Sequence, residues 1–266
     1  MMQVSAETAP RTGDGAGADL SGTTALVTGA SRGFGRGIAS TLVRQGAQVI
    51  GVARTPGPLH ELQDRLGDRF TAVVGDATEA ELARDLLAQH RPRLLILVAG
   101  AIPVMRPLQE HTWETFSTNW DADVQHAFHW TAEALRQPLA PGSHVISFSS
   151  GSALKGSPLS AGYAGANATI RFVSAYAQQE SDRADLGLRF TALLPQLSPA
   201  TDLGATGVAA YAERAGIDAD DFVAAMPHIL TPELMGTAVL GIATAVGADR
   251  PAAYRILETG HAEPLG

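Results

Sequence analysis

From residue 24 onward, short apolar runs of strand length alternate with longer segments whose apolar residues recur at helical spacing. The strand candidates are residues 24–28, 48–53, 70–74, 94–98, 144–148, 189–194 and 253–257. Helical patterns occupy 35–45, 59–66, 79–89, 112–139, 161–181 and 232–246. Several of the strand runs are almost continuously apolar, as buried strands covered on both faces are. Such alternation predicts an α/β fold, a doubly wound parallel sheet of about seven strands with helices on both faces. Right-handed crossovers then align the carboxyl ends of the strands, and any ligand crevice, along one edge.

The first strand runs into Thr28-Gly29-Ala30-Ser31-Arg32-Gly33-Phe34-Gly35, which opens the first helix. Glycines here allow a tight turn and let the backbone approach a pyrophosphate, whose charge then sits on the helix N-terminus. The spacing Gly-x-x-x-Gly-x-Gly resembles the short-chain dehydrogenase/reductase version of the dinucleotide fingerprint, and the resemblance extends from residue 22 to about residue 258. It implies one Rossmann-type domain, a nicotinamide cofactor, a small-molecule substrate, and a homodimer or homotetramer. The implied cofactor contacts are Gly29, Ser31, Arg32, Gly33, Phe34 and Gly35 in the turn, Asp76 and Ala77 after the third strand, and Ala99 and Gly100 after the fourth. Arg54 after the second strand, Tyr163 and Asn167 on the fifth-crossover helix, and Pro195 and Thr201 after the sixth strand complete the set.

An acidic residue at the end of the second strand would accept a hydrogen bond from a ribose 2′-hydroxyl and favour NAD. This chain has Arg54 there, in Val52-Ala53-Arg54-Thr55, and a second cation, Arg32, inside the turn. Two guanidinium groups near the ribose suit a 2′-phosphate, so the expected cofactor is NADP(H). The alternative is that both are solvated surface arginines.

Tyr163 stands at the start of the fifth-crossover helix, and Ser150 lies thirteen residues earlier, just after the fifth strand. The resemblance implies a proton-donating phenol in Tyr163 and a carbonyl-orienting hydroxyl in Ser150. The family's lysine, four residues after the tyrosine, is replaced by Asn167. An amide holds a ribose hydroxyl but brings no positive charge, so Tyr163 is expected to stay near the ordinary phenol pKa of ~10. That permits reduction of a carbonyl and disfavours oxidation. Tyrosine followed four residues later by asparagine also resembles the ketoreductase domains of modular polyketide synthases, which carry the lysine on the preceding helix. At that position, aligned through Asp123-Val124-Gln125-His126-Ala127-Phe128, stands Asp123; Asn119 lies four residues too early. A carboxylate there would raise the phenol pKa, act as a general base, or serve only in a hydrogen bond. The single lysine of the chain, Lys155, falls in the loop after the fifth strand, where a solvated position is expected and a swing over the substrate pocket is the alternative.

Composition narrows the remaining classes. A net charge of -8 argues against a nucleic-acid partner. With no cysteine, thiolate catalysis and Cys-based metal sites are impossible. No apolar run reaches the ~18–20 residues of a membrane helix, and residues 1–19 lack a signal-peptide pattern. They read as a flexible tail before a domain spanning 20–266, and a cytoplasmic location is the default. Residues 203–230 interrupt the alternation with two short helical pieces, as a lid, a substrate wall, an oligomer contact or a surface loop would. The pocket walls fall at 101–106, 152–159 and 203–230, with Arg106 and His228 at their edges. The leading reading is reduction of a carbonyl on a medium-sized, largely apolar substrate. The alternative is non-redox isomerisation, dehydration or cyclisation through Asp123 and Tyr163, and a catalytically silent cofactor-binding protein is a third.

Overall fold

A computed structural model describes residues 18–245 and 251–265. One sheet holds eight strands: β1 (Thr24–Thr28), β2 (Gln48–Ala53), β3 (Phe70–Val74), β4 (Leu94–Leu97), β5 (His144–Phe148), β6 (Arg189–Pro195), β7 (Ala253–Ile256) and β8 (Ala262–Leu265). Their spatial order is β3-β2-β1-β4-β5-β6-β7-β8. The first seven are parallel and β8 pairs antiparallel to β7. The architecture is thus the doubly wound α/β sheet expected, with each of the seven anticipated strands found to within one residue at its ends. The count of about seven is corrected to eight. The segment Ala262-Glu263-Pro264-Leu265 is short, half-exposed and contains proline, which is tolerated at a sheet edge but gives no strand pattern.

Among the described residues, ten α-helices accompany the sheet: α1 (Gly33–Arg44), α2 (Pro56–Leu66), α3 (Ala80–His90), α4 (Trp113–Asn119), α5 (Gln125–Arg136), α6 (Ser152–Lys155), α7 (Ala161–Arg183), α8 (Asp202–Ala215), α9 (Ala219–Ala224) and α10 (Pro232–Thr244). The continuous helix expected over 112–139 is instead α4 and α5 joined by a π-helical turn, Trp120–Val124. Side-chain periodicity is nearly blind to one inserted residue, so the sequence pattern reads through the break. The segment 203–230 contains two helices as anticipated, although α8 is longer than a short piece. Residues 1–17, which hold most of the expected tail, and Val246 lie outside the described residues. Among the described residues, no helix is long and apolar enough to cross a membrane.

Successive residues of a strand point to opposite faces, so β1 feeds two cores. Ala25 and Val27 pack with Ile38, Leu42, Leu59 and Val239 on the side of α1, α2 and α10. Leu26 packs with Leu87, Leu95, Trp130 and Phe190 on the side of α3, α5 and α7. The α1–α10 contact is close because glycine stands on both helices. A Cβ on Gly37 would fall 2.1 Å from the Pro232 carbonyl oxygen, and one on Gly236 would fall 2.3 Å from the Thr41 hydroxyl. Gly37→Ala is therefore expected to destabilise by about 1–3 kcal/mol through overpacking. Gly57→Ala, where a Cβ meets nothing within 4 Å, should leave stability within a few tenths of a kcal/mol or raise it slightly. Thermal unfolding of the two variants checks the contrast.

Candidate active site

Strand order reverses its progress at β1 and β4, and the crevice opens beyond their carboxyl ends. A cavity of about 710 Å³ runs along this edge, and each candidate cofactor-binding or catalytic residue named from the sequence lines it: the turn Gly29 and Ser31 to Gly35, then Arg54, Asp76, Ala77, Ala99, Gly100, Asp123, Ser150, Tyr163, Asn167, Pro195 and Thr201. The turn has no room for larger residues. Gly29 has φ +69, and a Cβ there would fall 2.9 Å from the Ala99 backbone; one on Gly35 would fall 2.2 Å from the Gly29 carbonyl oxygen. Helix α1 begins at Gly33 with no side-chain cap and no acidic residue in its first turn. Its leading N–H groups and the positive end of its dipole are therefore left for an anion, and this cradle fits the pyrophosphate of a dinucleotide.

The cations at the nucleotide end are already engaged. Arg32 forms a 3.0 Å ion pair with Asp202 at the start of α8, and Arg54 lies 3.9 Å from Asp76. Both arginine side chains are well exposed, at 60% and 66%, yet both line the cavity. The Thr78 backbone N–H, donating at 2.9 Å, holds the Asp76 carboxyl below its ordinary pKa, with the Thr78 hydroxyl and Arg54 acting in the same sense.

Two residues of the crevice floor were not singled out from the sequence. Thr28 Oγ1 accepts from the backbone N–H groups of Val98, at 3.0 Å, and Ala99, at 3.3 Å, and so ties β1 to the end of β4. His126 Nε2 lies 3.0 Å from the same hydroxyl. Burial pushes the His126 pKa down to about 4, so the imidazole is neutral at ordinary pH. Only the position of Thr28, immediately before the glycine turn, signalled it; nothing in the local sequence marked His126.

Tyr163 sits in the first turn of α7, held against α4 where a Cβ on Gly162 would fall 2.0 Å from the Phe116 carbonyl oxygen. Its phenol interacts with the Ser150 hydroxyl, and Ser150 in turn accepts from the Ser152 N–H at 3.2 Å and the Ser152 hydroxyl at 3.0 Å. Burial pushes the Tyr163 pKa up to about 12, with the Ser150 hydrogen bond opposing and Asp123 adding to the rise. The expectation of a phenol near 10 is corrected upward, because desolvation acts first and no cation offsets it. Asn167 is buried, and its Nδ2 donates back to the Tyr163 carbonyl at 3.0 Å.

Asp123 lies within the π-helical turn, with its carboxylate on the cavity wall. Oδ1 accepts from the Ala101 N–H at 2.7 Å, and Oδ2 accepts from Asn119 Nδ2 at 2.9 Å. Asn119 Nδ2 also donates to the Ala101 carbonyl at 2.9 Å. Asn119 and Asp123 are thus partners that clamp both polar groups of Ala101, rather than competitors for one position. Burial pushes the Asp123 pKa up to about 7 against these two hydrogen bonds.

The far end of the cavity is closed by α8, through Leu203, Gly204, Gly207 and Tyr211, and the Tyr211 hydroxyl bonds to Ser157 across it. Helix α9 takes no part. Arg106 and His228, expected at the edges, do not line the cavity. Arg106 instead donates to the Glu110 carbonyl at 3.3 Å, and His228 is exposed. Lys155 closes α6, exposed to solvent yet lining the cavity.

Comparison with known proteins agrees with this geometry. The family model described as short chain dehydrogenase matches residues 23–206. A hydroxynaphthalene reductase from Aspergillus fumigatus is 34% identical over 159 residues, which are 57% of this chain and 58% of that protein. The chain therefore aligns with less than two thirds of that relative's length. Among solved structures, one described as an NAD(P)-dependent gluconate 5-dehydrogenase from Beutenbergia cavernae, with NADP bound at low occupancy, superposes with TM-score 0.74 at 24% identity. It covers 91% of this chain and 97% of its own. A 3-ketoacyl-(acyl-carrier-protein) reductase from Brucella melitensis, complexed with NADH, superposes with TM-score 0.72 at 20% identity, covering 90% and 98%.

The pKa of Asp123 sets a sign for stability. A carboxyl whose pKa rises from 3.8 unfolded to about 7 folded contributes most below pH 3.8, and that contribution is lost as pH climbs through 7. Asp123→Asn, which removes the ionisable group, is expected to gain in melting temperature relative to the parent as pH rises from about 5 to about 8. Thermal melts of both proteins at the two pH values check this, and a pH-independent difference would contradict it.

Proposed function

The chain belongs to the short-chain dehydrogenase/reductase family of oxidoreductases, and from that premise we propose that it is an NADP(H)-dependent reductase of a carbonyl on a medium-sized, largely apolar substrate. The observation that carries the reading is the phenol of Tyr163 facing the Ser150 hydroxyl in the wall of the cavity that begins at the glycine turn. A bound dinucleotide would supply the hydride to the carbonyl carbon. Ser150 would orient the carbonyl oxygen, and Tyr163 would deliver its proton to that oxygen. A phenol held near pKa 12 is fully protonated at neutral pH, which supports the reductive direction. Asn167, with its Oδ1 not used by the helix bond, would hold the ribose, and Gly29 to Gly35 would take the pyrophosphate. Arg54 and Arg32 favour a 2′-phosphate, at the cost of releasing Asp76 and Asp202. Ile102, Met105, Leu154, Leu197 and Leu203 make the substrate end apolar.

One observation favours a second reading, non-redox acid–base chemistry. Asp123 lines the same cavity and exchanges its proton near neutrality, so it could serve as a base where Tyr163 serves as an acid. Product mass separates the two: reduction adds two hydrogens, and isomerisation adds none.

The homodimer or homotetramer implied by the family would bury the exposed aromatics of the packed helices α5 and α7, namely Phe128, Phe172 and Tyr176. Light scattering of the purified protein at a mass above that of one chain is the expected result.

In fluorescence and calorimetric titrations, NADPH is expected to bind at least roughly tenfold tighter than NADH, the scale of one charge-assisted hydrogen bond. Arg54→Ala should remove most of that preference. Tyr163→Phe should lower kcat by about 10²–10⁴-fold while leaving NADPH affinity nearly unchanged. A panel of ketones that gives no substrate-dependent NADPH oxidation would count against the reductase.

A further inference from the structure

Four cationic side chains line the cavity, and three of them have carboxylate partners. Arg32 pairs with Asp202, Arg54 with Asp76, and Arg255 with Glu263. Lys155 is the fourth, and among the described residues it makes no ion pair. It is also the single lysine in a chain whose other basic residues are all arginine.

Its place in the fold is fixed. Helix α6 starts two residues after Ser150, anchored by the Gly151 N–H donating to the Pro195 carbonyl at 2.9 Å. It ends at Gly156, whose φ of +77 turns the chain away. Lys155 therefore stands one helical turn beyond Ser152, roughly 4.5 Å along the axis at ~1.5 Å per residue. Lys155 and Ser150 line the same cavity, whose wall also carries the apolar side chains of Leu154, Leu197 and Leu203. A chain with net charge -8 repels anions at long range, so anion capture needs a local cation, and low-dielectric walls strengthen its pull.

Taking the cavity beyond Ser150 as the substrate chamber, as the reductase reading does, we propose that Lys155 is an anion-recognising subsite and that the substrate class is a carbonyl compound whose apolar chain ends in a carboxylate. Lys155 is a specificity residue in this arrangement, with no part in the proton or hydride transfer.

The test compares binding of hexanoate with that of its neutral isostere hexanamide, by calorimetry on the full chain at low ionic strength. The parent protein is expected to bind hexanoate at least roughly fivefold tighter, and less so at high salt. Lys155→Gln should abolish the preference, and Lys155→Arg should retain it. Equal binding of the two probes by the parent, or no hexanoate binding up to millimolar concentration, would overturn the subsite. A preference that survives in Lys155→Gln would also overturn it, and would move the anion to Arg54 or Arg32. NADPH-dependent turnover of neutral ketones together with equal probe binding would defeat the subsite alone. A Lys155-dependent preference for hexanoate without any NADPH-dependent turnover would defeat the reductase reading and leave the subsite standing.

Discussion

The backbone of the glycine turn lies against the end of β4 so closely that a Cβ on Gly29 would fall 2.9 Å from Ala99. Thr28 fixes that approach from the other side, its hydroxyl accepting from the Val98 and Ala99 N–H groups just past β4. The rest of the site depends on this contact. It sets the crevice at the point where strand order reverses, and it starts α1 with its N–H groups directed into the cavity. It also determines where α1 lies, and so where α10 can nest on Gly37.

The two ends of the crevice differ in their electrostatics. At the nucleotide end, arginines are solvated and paired across short gaps with Asp202 and Asp76. Exposed pairs of this kind contribute little to stability, so separating them costs little. At Tyr163 and Asp123 no cation offsets desolvation, and burial acts in one direction. It keeps the proton on Tyr163, brings Asp123 to titrate near neutrality, and leaves His126 uncharged. Under the reductase reading proposed above, a Tyr163 phenol that stays protonated at neutral pH is available to give its proton to a developing alkoxide.

Helix α8 connects both ends. Its first residue, Asp202, reaches Arg32 beside the glycine turn, and Tyr211, further along, bonds Ser157 on the loop after α6. Ligands at either end of the cavity therefore meet residues of the same helix. The carboxylate clamp of Asn119 and Asp123 on Ala101 plays the corresponding part for the opposite wall.

The sequence by itself determined the seven parallel strands, the glycine turn and the candidate cofactor and catalytic residues along the crevice. Buried parallel strands must be continuous apolar runs, and a phosphate turn must be glycine between a strand and a helix; both are local demands that leave a local signature. Ser150 and Tyr163 were legible through the resemblance to the short-chain dehydrogenase/reductase pattern, in which a strand end and a helix start stand thirteen residues apart. Four features needed the tertiary structure. The π-helical turn that makes Asn119 and Asp123 partners is one inserted residue, invisible to periodicity. The edge strand β8 forms only because β7 is there to pair with it. The depth of burial that takes Tyr163 to about 12 and His126 to about 4 depends on helices distant in the chain. The pairing of cavity arginines with acids, which leaves Lys155 alone, joins residues as far apart as 32 and 202. Short-range backbone geometry is written in neighbouring residues, whereas desolvation and ion pairing are set by what the folded chain brings alongside.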